Sequence, residues 1–334
     1  MLSQVKQDRT KMGQELRAVF IATLDELMTK NQKVIALEAD LGSASGFANL
    51  TQKHSQQLIN VGISEANMMG VASGLSLTGH IPFCHTFAPF ATRRAFDQLF
   101  ISGGYAQTTI NIFGSDPGFA VGPNGGTHTS WEDVALMRMI PNSIVCDPAD
   151  GIQLAWLIRE LADKAGIHYI RANRKAVREV YETDARFELG KGNILKQGRH
   201  IVLFAAGQLV SETLDIAEEL ALKGIDVTVV DMFTIKPLDS NLVIELSKTH
   251  DLMISIENHS VTGGLGSAIA DVIAETGINA KLLKIGVNER FGQVGSPDYL
   301  QDEFGLSKDK MQAKILDFII KFKKSFTILS ISER

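Results

Sequence analysis

The sequence predicts an α/β protein of two domains, each a mostly parallel sheet between helical layers, three layers apiece. Apolar runs of strand length alternate with segments of helical period from about residue 10 onward. This is the pattern of βαβ units whose sheet is covered on both faces. The alternation is interrupted once, between about 173 and 199, where charges dominate and Gly190 and Gly192 would break a helix. A first domain over 1–172, a connection over 173–199 and a second domain over 200–334 are therefore expected. With 334 residues and 45% hydrophobic content, the chain can bury two cores.

Residues 10–30 carry the first helical period, with Leu16, Phe20, Leu24 and Leu27 on one side, and Lys30-Asn31-Gln32 ends it. A strand over 34–37 follows and runs into Glu38-Ala39-Asp40. Helix and strand then recur. A helix from Glu65 leads to a strand over 81–86, one over 92–105 to a strand over 108–113, one over 131–139 to 143–146, and one over 152–164 to 167–170. In the second domain, strands over 201–204, 227–230, 252–256 and 282–285 are interleaved with helices over 210–223, 241–249 and 266–275, and an amphipathic helix follows Met311. Functional residues of such sheets gather at strand ends and the loops after them. Gly263-Gly-Leu-Gly266 can be read as a phosphate loop at a helix start or as a close-packing site; a glycine cluster this short is weak evidence for the loop.

A net charge of -5 and a pI near 5.9 leave no basic footprint for nucleic acid, and no Lys/Arg run adjoins an amphipathic helix to meet a membrane. The amino terminus lacks the apolar core of a signal peptide, and no segment approaches the run of about 18 apolar residues that spans a bilayer. Cys84 and Cys146 lie in apolar strands and read as small hydrophobes with free thiols, in a reducing cytoplasm; neither has metal-ligand spacing.

The stretch from Val61 to Gly79 is the most informative. From Glu65, Met68, Val71, Ala72 and Leu75 fall at helical intervals, while Gly70 and Gly74 leave a bare backbone strip open to close packing. Ser64 is a candidate N-cap, placing Glu65 in the first turn, where the helix dipole favours a carboxylate. Taken alone, Glu65 reads equally as an acid on a solvated helix end. Its neighbours shift that reading, because the next strand delivers Phe87 and Phe90, followed by Arg93 and Arg94. A carboxylate beside a flat apolar slot suits a heteroaromatic ring with one protonatable nitrogen. His128, after a glycine-rich loop, reads either as a structural loop residue or as a proton-transfer group near neutrality.

The chain resembles the pyrimidine-binding half of the thiamine diphosphate enzymes, most closely the carboxy-terminal subunit of a split, two-chain transketolase. The pieces that carry the resemblance run in order along almost the whole chain. They are Arg9, Ala39-Asp40-Leu41, Gly62-Ile-Ser-Glu65-Ala-Asn-Met68, Thr86-Phe87-Ala-Pro-Phe90, Gly122-Pro-Asn124-Gly-Gly-Thr-His128, Ile140-Pro-Asn142, Arg171 and Phe291-Gly-Gln-Val-Gly295.

The resemblance implies a role for each. Glu65 bonds the aminopyrimidine ring nitrogen and favours the imino tautomer, whose exocyclic nitrogen takes the thiazolium proton. An apolar setting raises a carboxyl pKa, which would let such an acid share its proton with the ring. Phe87 and Phe90 line the ring pocket, Arg93 stands where transketolases often have a tyrosine, and Asp40 and Leu41 match positions near the cofactor at a subunit boundary. His128 occupies the position that polarises the substrate. Arg9 and Arg171 align with positions that hold the distal phosphate, and two guanidiniums suit a sulfonate equally. Transketolases commonly have an acid where this chain has Asn124 and a histidine near Asp116, so the hydroxyl pattern read here differs.

No Gly-Asp-Gly segment for magnesium and diphosphate is present. The resemblance therefore implies a separate amino-terminal subunit bringing the Mg2+ ligands, an α2β2 assembly, and transfer of a two-carbon ketol unit between sugar substrates. A 2-oxoacid dehydrogenase beta subunit, a deoxyxylulose-phosphate synthase half and a catalytically silent assembly subunit remain the alternatives at this stage.

Overall fold

The computed structural model describes residues 4–332; residues 1–3, the start of the stretch read for a signal peptide, and the last two residues of the expected second domain lie outside them. The chain forms β1 (Met12–Glu15), β2 (Val34–Glu38), β3 (Leu58–Asn60), β4 (Ile81–Phe87), β5 (Ile110–Ser115), β6 (Ile144–Cys146), β7 (Ile167–Ala172) and β8 (Ala176–Arg178), then β9 (Asn193–Lys196), β10 (His200–Ala205), β11 (Thr228–Asp231), β12 (Thr234–Lys236), β13 (His250–Ser260) and β14 (Lys281–Val287). One sheet has the order β12-β6-β7-β5-β4-β2-β3, a second β14-β13-β10-β11-β9, and β1 pairs with β8. Within the two large sheets all pairings are parallel except β12 with β6 and β9 with β11. These are the two mostly parallel α/β units expected.

Alternation along each strand explains why the strand sequences are apolar throughout. In the first sheet Ala36, Phe83, Phe113, Cys146 and Ile170 enter one core with Phe20, Leu24 and Leu157, while Leu37, Cys84, Ile112, Val145 and Tyr169 enter the other with Met68 and Met69. A strand covered on both faces needs apolar residues at both parities. The cysteines thus sit on opposite faces, both free, with burial pushing each thiol pKa up. The second sheet divides likewise. Leu203 and Ala205 pack under the Leu209–Leu222 helix, while Val202 and Phe204 join Met68 and Val145 in one core that runs between the domains.

Several features differ from the sequence reading, beginning with β1, inside the expected first helix, and β3, which was not foreseen. The stretch expected as a connection supplies β8 and β9, too short for periodicity to reveal. β12, from the part assigned to the second domain, closes the edge of the first sheet, with Thr234 opposite Cys146 and Lys236 opposite Val145. Lys236 reinforces the join by donating to the Arg138 carbonyl at 2.8 Å. In place of one helix over 92–105, the chain makes a turn over Ala88–Ala91, bends at Thr92, and resumes as Phe96–Gln98 and a π-helical Leu99–Tyr105. Further along, the π-helical segment packs closely: a Cβ on Gly103 would lie 2.8 Å from Ile167, and one on Gly104 2.7 Å from Ile140.

The Gly263–266 cluster is a packing site. The buried Glu257 carboxylate accepts from the Leu265 and Gly266 amides at 2.7 and 2.9 Å, taking the donors an anion would need. Burial raises the Glu257 pKa to about 7 against those two amides. Among the described residues no helix is long and apolar enough to cross a membrane.

Candidate active site

The carboxyl ends of the first sheet's parallel strands share one edge, and most of the predicted site residues lie there or in the loops that follow. After β3, the Asn60 side chain accepts from the Gly62 amide at 2.8 Å and the Asp40 amide at 3.2 Å, fixing the turn that launches the Glu65–Leu77 helix. Ser64 precedes the helix, but its hydroxyl donates back to the Val61 carbonyl at 2.8 Å and does not cap it. The helix buries Met68, Met69 and Ala72, and Glu65 shares that face at 3% exposure.

The surroundings of Glu65 are less apolar than the sequence suggests. Arg94 Nη1 donates to Glu65 Oε1 at 2.8 Å, and its Cζ lies 3.7 Å from the Phe90 ring centroid. Phe90 meets Phe87, the last residue of β4, edge to face, at 5.9 Å and 84°. His128 completes the group, 5.4 Å from Phe87 and 4.9 Å from Phe90. Burial, and then the charge of Arg94, hold the His128 pKa below its ordinary value, so the imidazole is neutral near pH 7. An acid, two aromatic rings set edge to face and a neutral imidazole can grip a flat ring and exchange a proton beside it.

His128 is positioned by the second domain. A Cβ on Gly126 would lie 2.5 Å from the Gly292 carbonyl oxygen, so this contact between the two loops needs glycine. Upstream in the same segment, the Asn258 side chain accepts from the Phe119 amide at 3.2 Å and donates to the Pro117 carbonyl at 3.1 Å. The glycines around His128 therefore serve its placement.

The other predicted residues divide. Asp40 and Leu41 line an open cleft of about 600 Å³ with Asn60, and the Leu41 amide donates to Glu38, whose pKa burial raises. Asp116 is buried after β5 and accepts from the Arg174 amide at 2.7 Å and from Arg174 Nε. Arg174 Cζ in turn lies 4.6 Å from the Phe87 centroid, so Asp116 meets the aromatic pair only through Arg174. Asn124 is exposed at the end of the Gly118–Asn124 turn. Arg93 donates to Glu132 at 2.7 Å and to the Thr127 carbonyl at 3.3 Å, and it is the adjacent Arg94 that lies over the Phe90 ring.

Two expectations are corrected. Arg171, expected to hold the substrate's anionic tail, is 1% exposed and binds Asp133, Asp147 and the Asn258 carbonyl at 2.7–3.2 Å; it ties the domains together and has no free face for a ligand. Arg9, its expected companion, pairs with Glu218 on the Leu209–Leu222 helix, so the two guanidiniums do not converge. Sequence reasoning missed Arg94, Arg174 and Asp133. The spacing of Phe90 and Arg94, four residues apart and able to stack on one turn, was a usable signal. Nothing local distinguishes Arg171 from Arg174.

Two mostly parallel α/β units thus carry a buried carboxylate and an aromatic pair at one sheet edge. Residues 13–180 match the transketolase pyrimidine-binding domain and residues 190–311 the transketolase C-terminal domain, and the chain belongs to the transketolase family. It is 40% identical over 292 residues to the 6-deoxy-6-sulfo-D-fructose transketolase subunit of Clostridium sp. (strain MSTE9), covering 87% of this chain and 90% of that protein. It is 36% identical over 304 residues to a putative transketolase C-terminal section of Methanocaldococcus jannaschii, covering 90% and 95%. Human transketolase is 30% identical over 318 residues, which are 93% of this chain but 50% of that protein. Among solved structures, a split-gene transketolase described as an inactive beta4 tetramer superposes with a TM-score of 0.84 at 37% identity, covering 91% of this chain and 98% of that one. The chain thus matches split transketolase subunits over nearly their whole length and about half the length of one-chain relatives.

Proposed function

We propose that this chain, joined by an amino-terminal partner, transfers a two-carbon ketol unit from an anionic ketose to an aldose. The observation that carries this reading is Glu65, an acid at 3% exposure on the edge of a slot where a planar cation already lies against Phe90. The residues fit an aminopyrimidine, because the slot accepts a flat group with in-plane N–H donors. Thiamine diphosphate, when bound, supplies the nucleophilic carbon for carbonyl cleavage. Glu65 holds a proton at the ring nitrogen, Phe87 and Phe90 seat the ring, and His128 passes a proton to or from a substrate hydroxyl. Arg174, beside Phe87, replaces Arg171 as the guanidinium offered to the substrate's anion. Asn124, exposed on the same loop as His128, remains available to a hydroxyl.

Magnesium and diphosphate ligands are assigned to the partner, the half of one-chain transketolases that this chain does not match. A cytoplasmic α2β2 complex accounts for the bare strip of the Glu65–Leu77 helix. Gly70 and Gly74 have nothing within 4 Å of a would-be Cβ, and Ile63 and Leu77 beside them are 77% and 74% exposed. Mixing the purified subunits with thiamine diphosphate, magnesium, ribose 5-phosphate and either a phosphorylated or a sulfonated ketose tests the reading. Turnover needing both subunits is expected, with the preferred donor identifying the anion. Full turnover by this chain alone, or none with any donor, overturns it.

A further inference from the structure

The guanidinium of Arg94 meets at once the two surfaces that a pyrimidine ring would need. Its plane covers Phe90, with Cζ 3.7 Å from the ring centroid, and its edge donates to Glu65 at 2.8 Å. A planar, delocalised cation with donors at its rim is the one side chain able to stack and donate in this way; a lysine ammonium can offer the charge but not the plane. The side chain is still 47% exposed, so one flank is open to solvent and the group can leave without the core opening. Arg93, next to it, is tied to Glu132 and the Thr127 carbonyl, so the two arginines have separate tasks.

We infer that Arg94 is a resident stand-in for the cofactor ring, filling the ring seat of the unloaded subunit and leaving it when thiamine diphosphate enters. The inference rests on the ring-site reading given above. Its physical basis is that Glu65, almost fully buried, would otherwise face an apolar slot with no partner, and a buried carboxylate without a donor is strongly disfavoured. Arg94 satisfies it until a ring nitrogen does. Ring binding is then an exchange at the same oxygen, in which the guanidinium leaves and the ring nitrogen takes its place, with one proton taken up from solvent and shared between Glu65 and that nitrogen. The affinity measured is the ring's own affinity reduced by the fraction of molecules whose seat is open. Arg94 is accordingly a positioning residue that sets cofactor affinity, and it takes no part in the chemical step.

Removing the guanidinium should have two opposite effects, a pairing that a purely structural or a purely binding role would not produce. In the complex with the amino-terminal subunit, Arg94→Ala should bind thiamine diphosphate with magnesium at least tenfold more tightly by titration calorimetry. The same substitution should lower the melting temperature of the chain without cofactor, where Glu65 has lost its donor. Arg94→Lys, which keeps the charge, should fall between wild type and Arg94→Ala in affinity and provides the measurement if the alanine variant is poorly folded. If wild type binds the cofactor and neither variant binds it more tightly, Arg94 is part of the loaded site and the exchange is wrong, while the ring-site reading stands. If no form of the complex binds the cofactor, the ring-site reading fails and the inference goes with it.

Discussion

Glu65 has one charged donor, Arg94, and almost no water, so its chemistry depends on what lies along that one edge. Glu65→Gln keeps the shape and removes the transferable proton. In the reconstituted complex it should cost about 10²–10⁴ in kcat, the usual contribution of a positioned acid or base, with little change in melting temperature. Undiminished turnover would show that the acid is ornamental. Arg171 makes the contrasting case. Arg171→Met leaves Asp133 and Asp147 buried without their cation and should cost about 3–5 kcal/mol of stability, read by denaturant unfolding. A variant of full stability with only a raised donor KM would return Arg171 to the substrate. Spacing along one helix and one strand end brought Glu65, Phe87 and Phe90 forward, the resemblance added His128, and the structure gathers the four at one sheet edge. Arg171 and Arg174 were not separable, because three residues decide between a core and a cleft only once the second domain is in place.

The segment carrying His128 is held by backbone proximity more than by side chains. Gly126 faces the Gly292 carbonyl across the domain boundary, leaving no room for a Cβ. Gly126→Val should push the two loops apart, cost about 1–3 kcal/mol as overpacking does, and move His128 away from Phe90. Kinetics should then show a lower kcat with cofactor affinity at Glu65 preserved. Equal kcat in the variant would mean that the second domain does not position the imidazole. The broken helix after Phe90 belongs to this scale as well. Periodicity predicted a continuous element over 92–105, yet the chain turns at Thr92 and continues as a π-helix in which Gly103 and Gly104 pack against Ile167 and Ile140. Contacts from a distant strand and a distant helix end leave no trace in a local apolar period. The strands with longer apolar runs were readable to within a few residues, while β1, β3, β8, β9 and β12 were not.

Across the whole molecule, the two domains share both apolar core and buried polar groups. Asp231 on β11 accepts from Gln153 on the Gly151–Ala162 helix at 2.8 Å and from Tyr181, and burial raises its pKa to about 7. The folded state therefore holds a proton there that the unfolded chain, with an ordinary value of 3.8, has already lost. The resulting stabilisation is complete below about pH 4 and disappears as pH rises through 7. Asp231→Asn should show a melting temperature that falls less than wild type's over this range; parallel pH profiles would contradict the assignment. A fragment of residues 1–199 should fail to fold cooperatively by calorimetry and near-UV dichroism, since it lacks β12, the Arg171 partner at Asn258 and the second domain's share of the common core. A sharp independent transition would show the domains to be separable.

β12 has a further consequence for how such a protein can be cut and recombined. Three residues encoded well downstream finish the edge of the upstream sheet, as a rivet joins two plates from the far side. Gene fission or domain exchange anywhere between residues 173 and 236 would part that rivet from its plate. This boundary should resist evolutionary shuffling, while a break ahead of the whole chain leaves both plates fastened.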